Sequence, residues 1–258
     1  VHPVLLQIGP LTVHSYGVML ALGAGLGLIL LGRLARSAGL DPERMSSLAL
    51  WVLLSALLGS RVVYVLMEPG PFLAAPWRML FIWEGGLVFY GGVAAGLVVG
   101  LALARRWSFS LPAVLDCFGP SLALGQAFGR VGCFLAGCCY GLPWEQGWCA
   151  VTFTARGTLA PPGLPVHPTQ LYSALALMAI TGATLLVWRR WKGTGMVFCL
   201  YGLLHGAARL VIEQFRGDYR GEPLLWGLTP TALFALALAL ACGAGLVYLA
   251  GRRGKKEA

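Results

Sequence analysis

Apolar residues run through this chain in seven long blocks, near 16–32, 46–67, 87–104, 113–136, 170–188, 195–212 and 228–250. A helix needs roughly 20 mostly apolar residues to cross the hydrocarbon layer of a membrane, and each block is close to that length. The pattern predicts an all-α polytopic membrane protein of about seven transmembrane helices, a single integral domain over 1–258. The fourth block is the most interrupted, by Asp116, Gln126 and Arg130. Two segments between blocks are too long for turns. Residues 68–86 are amphipathic and Trp-rich, which predicts an arm lying in the membrane interface. Residues 137–169 are rich in Gly, Pro and Trp and contain a β-like run, Val151-Thr-Phe-Thr154, which predicts a small external head. Long ordered loops of this kind often carry function.

Composition agrees with the blocks. Of 258 residues, 58% are hydrophobic and only 11% charged, and mean hydropathy is +0.75. This is too apolar for a soluble globule. The 36 glycines suit close helix approach in lipid, where water supplies no driving force. A net charge of +9 could point to nucleic acid, but the cations gather at the block ends, as the positive-inside rule requires. Arg33, Arg36, Arg44, Arg105, Arg106, Arg189, Arg190, Lys192, Arg252, Arg253, Lys255 and Lys256 fall on one side. Arg78, Arg156, Arg216 and Arg220 fall on the other. The expected topology has the N-terminus outside and the C-terminus inside. No cationic segment precedes the first block, so no cleaved signal peptide is expected.

Three arginines remain inside apolar blocks: Arg61, Arg130 and Arg209. A charge at the bilayer centre costs about 3 kcal/mol or more, so each is a candidate for function. On a helix, His205, Arg209, Glu213 and Arg216 form one polar stripe. Opposite lie Leu203, Leu204, Ala207, Ala208, Leu210, Val211 and Ile212. Such a stripe suits an anion held within the membrane. The competing reading pairs each arginine structurally with a carboxylate such as Glu213.

Seven cysteines leave an odd thiol. Cys138, Cys139 and Cys149 fall on the oxidising side, where Cys149 could pair with Cys138 or Cys139. Cys117, Cys133, Cys199 and Cys242 read as small buried hydrophobes. No second Cys/His pair has zinc spacing, so neither a metal nor a cofactor is expected. His2 and His14 read as packing residues, and His167 as a helix-start residue or a site residue. His205, one turn before Arg209, is the histidine most open to a chemical role.

Six motifs follow in order: His14-Ser-Tyr16-Gly; Gly59-Ser-Arg61-Val-Val-Tyr64; Gly85-Gly-Leu-Val-Phe-Tyr90-Gly91-Gly92; Gly125-Gln126-Ala-Phe-Gly129-Arg130-Val-Gly132-Cys-Phe-Leu-Ala-Gly137-Cys-Cys-Tyr-Gly141; His167-Pro-Thr-Gln170-Leu-Tyr172; and Arg209-x₃-Glu213-x₂-Arg216-Gly-Asp218. Together they span nearly the whole chain, and the ordered set resembles the prolipoprotein diacylglyceryl transferases of the bacterial inner membrane. The resemblance implies transfer of the diacylglyceryl group of phosphatidylglycerol to the lipobox cysteine thiol of a prolipoprotein signal peptide, releasing glycerol phosphate. It implies membrane lipids as surroundings, a monomer, and no nucleic-acid partner.

On this reading Arg130 and Arg209 hold the lipid phosphate, because guanidinium stays charged when buried and meets phosphate with a planar fork. Gly129 lets lipid come close to Arg130. Tyr16, Arg61, Gly91, Gly92, Gly141, Gln170, Glu213 and Arg216 are the further substrate-binding candidates. The family pattern has a histidine at Tyr90 and a tyrosine at His205, so the two residue types have changed places. His205 would then supply the imidazole base and Tyr90 the hydroxyl, unless the phosphate itself takes the proton. The pattern also has Asn and Glu where this chain has Cys133 and Cys138, and Gln and Ser where it has Ala232 and Ala235. A different class, an anion transporter or lipid scramblase using the same arginines, would show internal repeats, and no convincing repeat is found.

Overall fold

In the computed structural model the described residues are 2–9, 11–81, 85–145, 147–155, 157–219, 222 and 224–257. Residues 82–84 of the predicted arm, Arg156 in the head segment and Arg220 lie outside them.

The protein is mostly helical. Its long helices are α1 (Ser15–Ser37) and α2 (Pro42–Met67), with α4 (Phe89–Arg106) and α5 (Leu111–Ala136). They continue with α6 (Thr169–Trp191), α7 (Met196–Glu213) and α8 (Pro230–Glu257). A short α3 (Gly70–Ala74) lies between α2 and α4. Six of these, all the long helices but α5, are long and apolar enough to cross a membrane. α5 has the length, but Asp116, Gln126 and Arg130 dilute its apolar surface. The helices overrun the apolar blocks at several ends, because polar residues such as Arg36 continue a helix past the hydrocarbon edge.

Two small sheets depart from a purely helical expectation. Val4–Ile8 (β1) and Leu11–His14 (β2) form an antiparallel hairpin before α1. Val151–Thr152 (β3) pairs antiparallel with Pro165–Val166 (β4) inside the predicted head. That head has its own small core of Phe153, Ala160 and Val166, with Phe134, Tyr140 and Leu164 packed against it.

The chain forms two compact units, one of residues 1–31 with 115–258 and one of residues 32–114. In the second unit α2 and α4 lie side by side in close contact. A Cβ on Gly91 would sit 2.6 Å from the Gly59 carbonyl oxygen, and one on Gly92 would sit 2.9 Å from that of Ala56. Only glycine allows two backbones this near. The arm belongs to this unit: α3 leads into a 3₁₀ turn at Pro76–Leu80 that leaves Leu73, Trp77 and Leu80 exposed.

In the first unit α7 packs between α6 and α8. Ala123, Ala127, Leu177, Ile180 and Tyr201 form a core joining α5, α6 and α7. α1 meets α5 where a Cβ on Gly23 would be 2.7 Å from the Gly125 carbonyl oxygen. Asp116, fully buried, explains one interruption of the fourth block. Its Oδ2 accepts the backbone N–H groups of Thr194 (3.0 Å) and Gly195 (2.9 Å), and its Oδ1 that of Phe198 (3.0 Å). A carboxylate from α5 thus caps the start of α7, satisfying donors that a helix leaves open and meeting the positive end of its dipole.

Candidate active site

Arg209, buried on α7, is paired with Glu213 one turn on, Nη2 to Oε2 at 2.6 Å. Thr229, just ahead of α8, donates its hydroxyl to Glu213 Oε1 at 2.8 Å. The fixed carboxylate therefore orients the Arg209 fork, and the second side chain, Thr229, carries no signal in the sequence motif. His205 stacks on Tyr201 with ring centroids 5.5 Å apart, and the Tyr201 hydroxyl donates to Gln126 Oε1 at 3.3 Å. His205 lies within electrostatic reach of both Arg209 and Arg130. Arg130 is half-buried on α5 and makes no hydrogen bond or ion pair among the described residues. Next to it, Gly129 faces open space. α5 and α7, joined through the core above, thus bring two cations and an imidazole together. On the other face of α7, an apolar groove of about 420 Å³ runs between α6 and α7, lined by residues including Ala176, Ala183, Leu204, Ala208 and Val211.

The polar stripe predicted on α7 stops short. The helix ends at Glu213, and Arg216 lies beyond it in the following turn. Its fork goes to Asp218, Nε to Oδ1 at 2.8 Å and Nη2 to Oδ2 at 2.7 Å. Burial works against its charge, yet the hydrogen bonds to Asp218 and Cys139 raise it above the ordinary guanidinium value. Arg216 also shares a backbone bridge with Gly141. A Cβ on Gly141 would meet the His167 carbonyl oxygen at 2.5 Å and that of Phe215 at 2.7 Å, so this glycine serves the crossing of three segments. His167 stacks on Trp144 and shares a hydrogen bond with the Tyr172 hydroxyl at 3.2 Å.

Cys133, Cys138 and Cys139 converge, with their sulfurs all within 4.8 Å of one another. Cys133, read from sequence as a small buried hydrophobe, is half-buried and part of this cluster. All seven cysteines are free, so the possible pairing of Cys149 with Cys138 or Cys139 is not formed, and Cys149 Sγ sits 3.5 Å from the Tyr172 hydroxyl. Hydrogen bonds from its two neighbours, aided by Arg216, hold the Cys139 thiol below the usual thiol range. Gln170, fully buried, donates from Nε2 to the Cys138 carbonyl at 2.7 Å, and Thr169 Oγ1 to that of Cys139 at 2.9 Å. Gln170 thus fixes the turn that carries the thiols. Tyr16, at the start of α1, is close enough to feel Arg130 and all three cysteines.

The remaining candidates lie in the other unit. Arg61 spends its donors on the arm: Nε on Met79 O (3.0 Å), Nη1 on Gly85 O (2.7 Å) and Nη2 on Arg78 O (2.6 Å). Tyr64 and Phe72 flank its guanidinium. Of its two open readings, the geometry favours the structural one. Gly91 and Gly92 are taken up by the α2–α4 approach. Tyr90 stands half-exposed in the first turn of α4, edge-on to Phe89.

The sequence pattern described as prolipoprotein diacylglyceryl transferase matches residues 3–248. The chain belongs to the prolipoprotein diacylglyceryl transferase family. Among its relatives are phosphatidylglycerol–prolipoprotein diacylglyceryl transferases from several bacteria. That of Gloeobacter violaceus is 34% identical over 99% of this chain and 96% of its own length. That of Bordetella bronchiseptica is 35% identical over 98% and 96%, and that of Clostridium tetani 34% over 85% and 87%. Membership of this transferase family covers both units, since the matched stretch runs from the N-terminal hairpin into α8.

Proposed function

We propose that this membrane transferase moves the diacylglyceryl group of phosphatidylglycerol onto the lipobox cysteine of a prolipoprotein. The observation that carries the site is Arg130, a half-buried cation with no hydrogen-bond or ion-pair partner among the described residues, which acts with Arg209 on His205. An apolar site that gathers two guanidiniums invites an anion to complete it, and a lipid phosphate is the anion the reaction supplies.

In the reaction the thiol loses its proton and its sulfur attacks the glyceryl carbon that bears the phosphate ester. A C–S bond forms as the C–O bond breaks, and glycerol phosphate departs with the electron pair. Arg130 and Arg209 stabilise the charge that builds on the phosphate oxygens, and such fixed donors are usually the largest catalytic term. His205 is the proposed base, as the imidazole within electrostatic reach of both guanidiniums. Tyr16 and Gly129 line the approach of lipid. Glu213 positions Arg209, and Arg216 and Gln170 hold the turn after α5. Seven spans in the bacterial inner membrane, with the arm in the outer interface and the head outside, complete the picture for a protein acting as a monomer.

The test is purified protein with phosphatidylglycerol vesicles and a lipobox peptide. A diacylglyceryl mass increase on the peptide cysteine is expected, and lipid movement without that product would instead favour the scramblase. Arg130→Gln is expected to lower turnover by about 100-fold or more, the cost of removing one preorganised donor. Unchanged turnover would remove the phosphate-binding role.

A further inference from the structure

The turn that ends α5 gathers three thiols by a specific backbone device. The N–H of Cys138 bonds to the carbonyl of Cys133 at 3.1 Å, and that of Gly137 to the carbonyl of Phe134 at 3.1 Å. With Gly137 at φ +69°, this is a Schellman ending, which places the side chains five residues apart against each other. Those side chains are usually apolar; here they are Cys133 and Cys138. Cys139 then also takes a left-handed φ of +59°, a conformation that costs a residue with a Cβ about 1 kcal/mol or more. That turn brings its sulfur to the other two. Buried Gln170 and Thr169 hold the two carbonyls that follow, so the arrangement is braced from α6.

We propose that Cys133, Cys138 and Cys139 form a three-thiolate site for a thiophilic divalent cation, Zn(II), whose fourth position is open to a substrate thiol. Zinc–sulfur bonds of about 2.3 Å in a tetrahedron put the sulfurs about 3.8 Å apart. Sulfurs already within 4.8 Å of each other need close by no more than about 1 Å. Three thiolates and a divalent ion leave a net single negative charge beside the Arg216 guanidinium, which also pairs with Asp218. A disulfide would join two of the sulfurs and strand the third, whereas a central ion uses all of them. All three residues are only half-buried, so a ligand can reach the cluster. Three protein ligands with an open position is the arrangement of catalytic rather than structural zinc.

The consequence rests on the transferase reading, since the nucleophile of that reaction is itself a thiol. A thiol held by zinc loses its proton more readily, so the proton passes to the proposed base His205 and the sulfur stays as thiolate. The same sulfur would then form the C–S bond as glycerol phosphate leaves. Arg130, one turn before Cys133 on α5, would hold the lipid phosphate close by.

The full-length protein in detergent is loaded with Zn(II) or Co(II) and its metal content measured. About one ion per chain is expected, and Co(II) is expected to give an intense sulfur-to-metal charge-transfer absorption. Cys133→Ser and Cys138→Ser should each abolish that absorption, while Cys149→Ser leaves it intact. Gln170→Leu is expected to weaken Co(II) binding by about 10- to 100-fold, as loss of a supporting contact does. A lipobox peptide should shift the Co(II) spectrum, and its Cys→Ser counterpart should not. Three freely titrating thiols without bound metal, or a disulfide between any two, would overturn the site. A spectrum indifferent to the peptide, or transfer that persists unchanged after chelation, would overturn its use by substrate. Those results leave the transferase reading standing, because it fails separately through Arg130→Gln and the peptide mass.

Discussion

Arg209 and Arg61 carry the same charge in similar apolar runs, yet the fold uses them differently. Arg61 is surrounded by backbone carbonyls of the arm, and Arg209 is aligned by one carboxylate. For Arg209, stability and chemistry can be separated. Glu213→Gln removes the carboxylate charge paired with a buried guanidinium, which costs about 3–5 kcal/mol. Thermal unfolding in detergent should show a clear drop, and adding Arg209→Gln should restore much of it. Transfer should be lost in the double variant all the same; a double variant that is stable and active would confine the pair to a structural role. His205→Phe keeps the stacking on Tyr201 and removes the imidazole. Turnover is expected to fall by about 100-fold or more if general base catalysis is lost, and near-normal turnover would pass the proton to the phosphate. The polar stripe of His205, Arg209 and Glu213 was legible from helical spacing alone. Arg216 was not part of it, because the spacing carries no notice of where the helix ends.

Helices of this protein are tied together by polar side chains acting on backbone. Asp116 looked like a flaw in a spanning block, but it caps α7 through three N–H groups. Hydrogen bonds to a charged group contribute about 1.5–3 kcal/mol each. Asp116→Ala should therefore cost about 3 kcal/mol or more, read as a lower unfolding temperature. It should also lower turnover, since α7 carries His205 and Arg209. An unchanged unfolding temperature would mean that the cap contributes little. Sequence pattern located every long helix, because a span-length apolar run has few other uses. It did not anticipate the β1–β2 hairpin, whose strands are only five and four residues long. It did find the β-like run at 151, although the ordered strand covers only Val151–Thr152.

At the scale of the molecule the distribution of cations predicts an orientation. A reporter fused after residue 258 should be active only in the cytoplasm, and one placed before β1 only outside; the reverse pattern would overturn the assignment of the head as external. Apolar block length, basic block ends and ordered motifs were enough for the membrane class and the transferase family, since each is a property of residues close in sequence. What the three-dimensional fold decided is which distant residues share a space. It gave Glu213 to Arg209, Asp218 to Arg216 and the backbone of the arm to Arg61. It turned Cys133 toward Cys138 and Cys139 through a helix ending that depends on the conformation of Gly137. Hydrophobic pattern specifies which face of each helix is apolar. Only packing, close where glycines let backbones approach, determines which polar groups then meet, and unpaired charge in lipid makes those meetings matter.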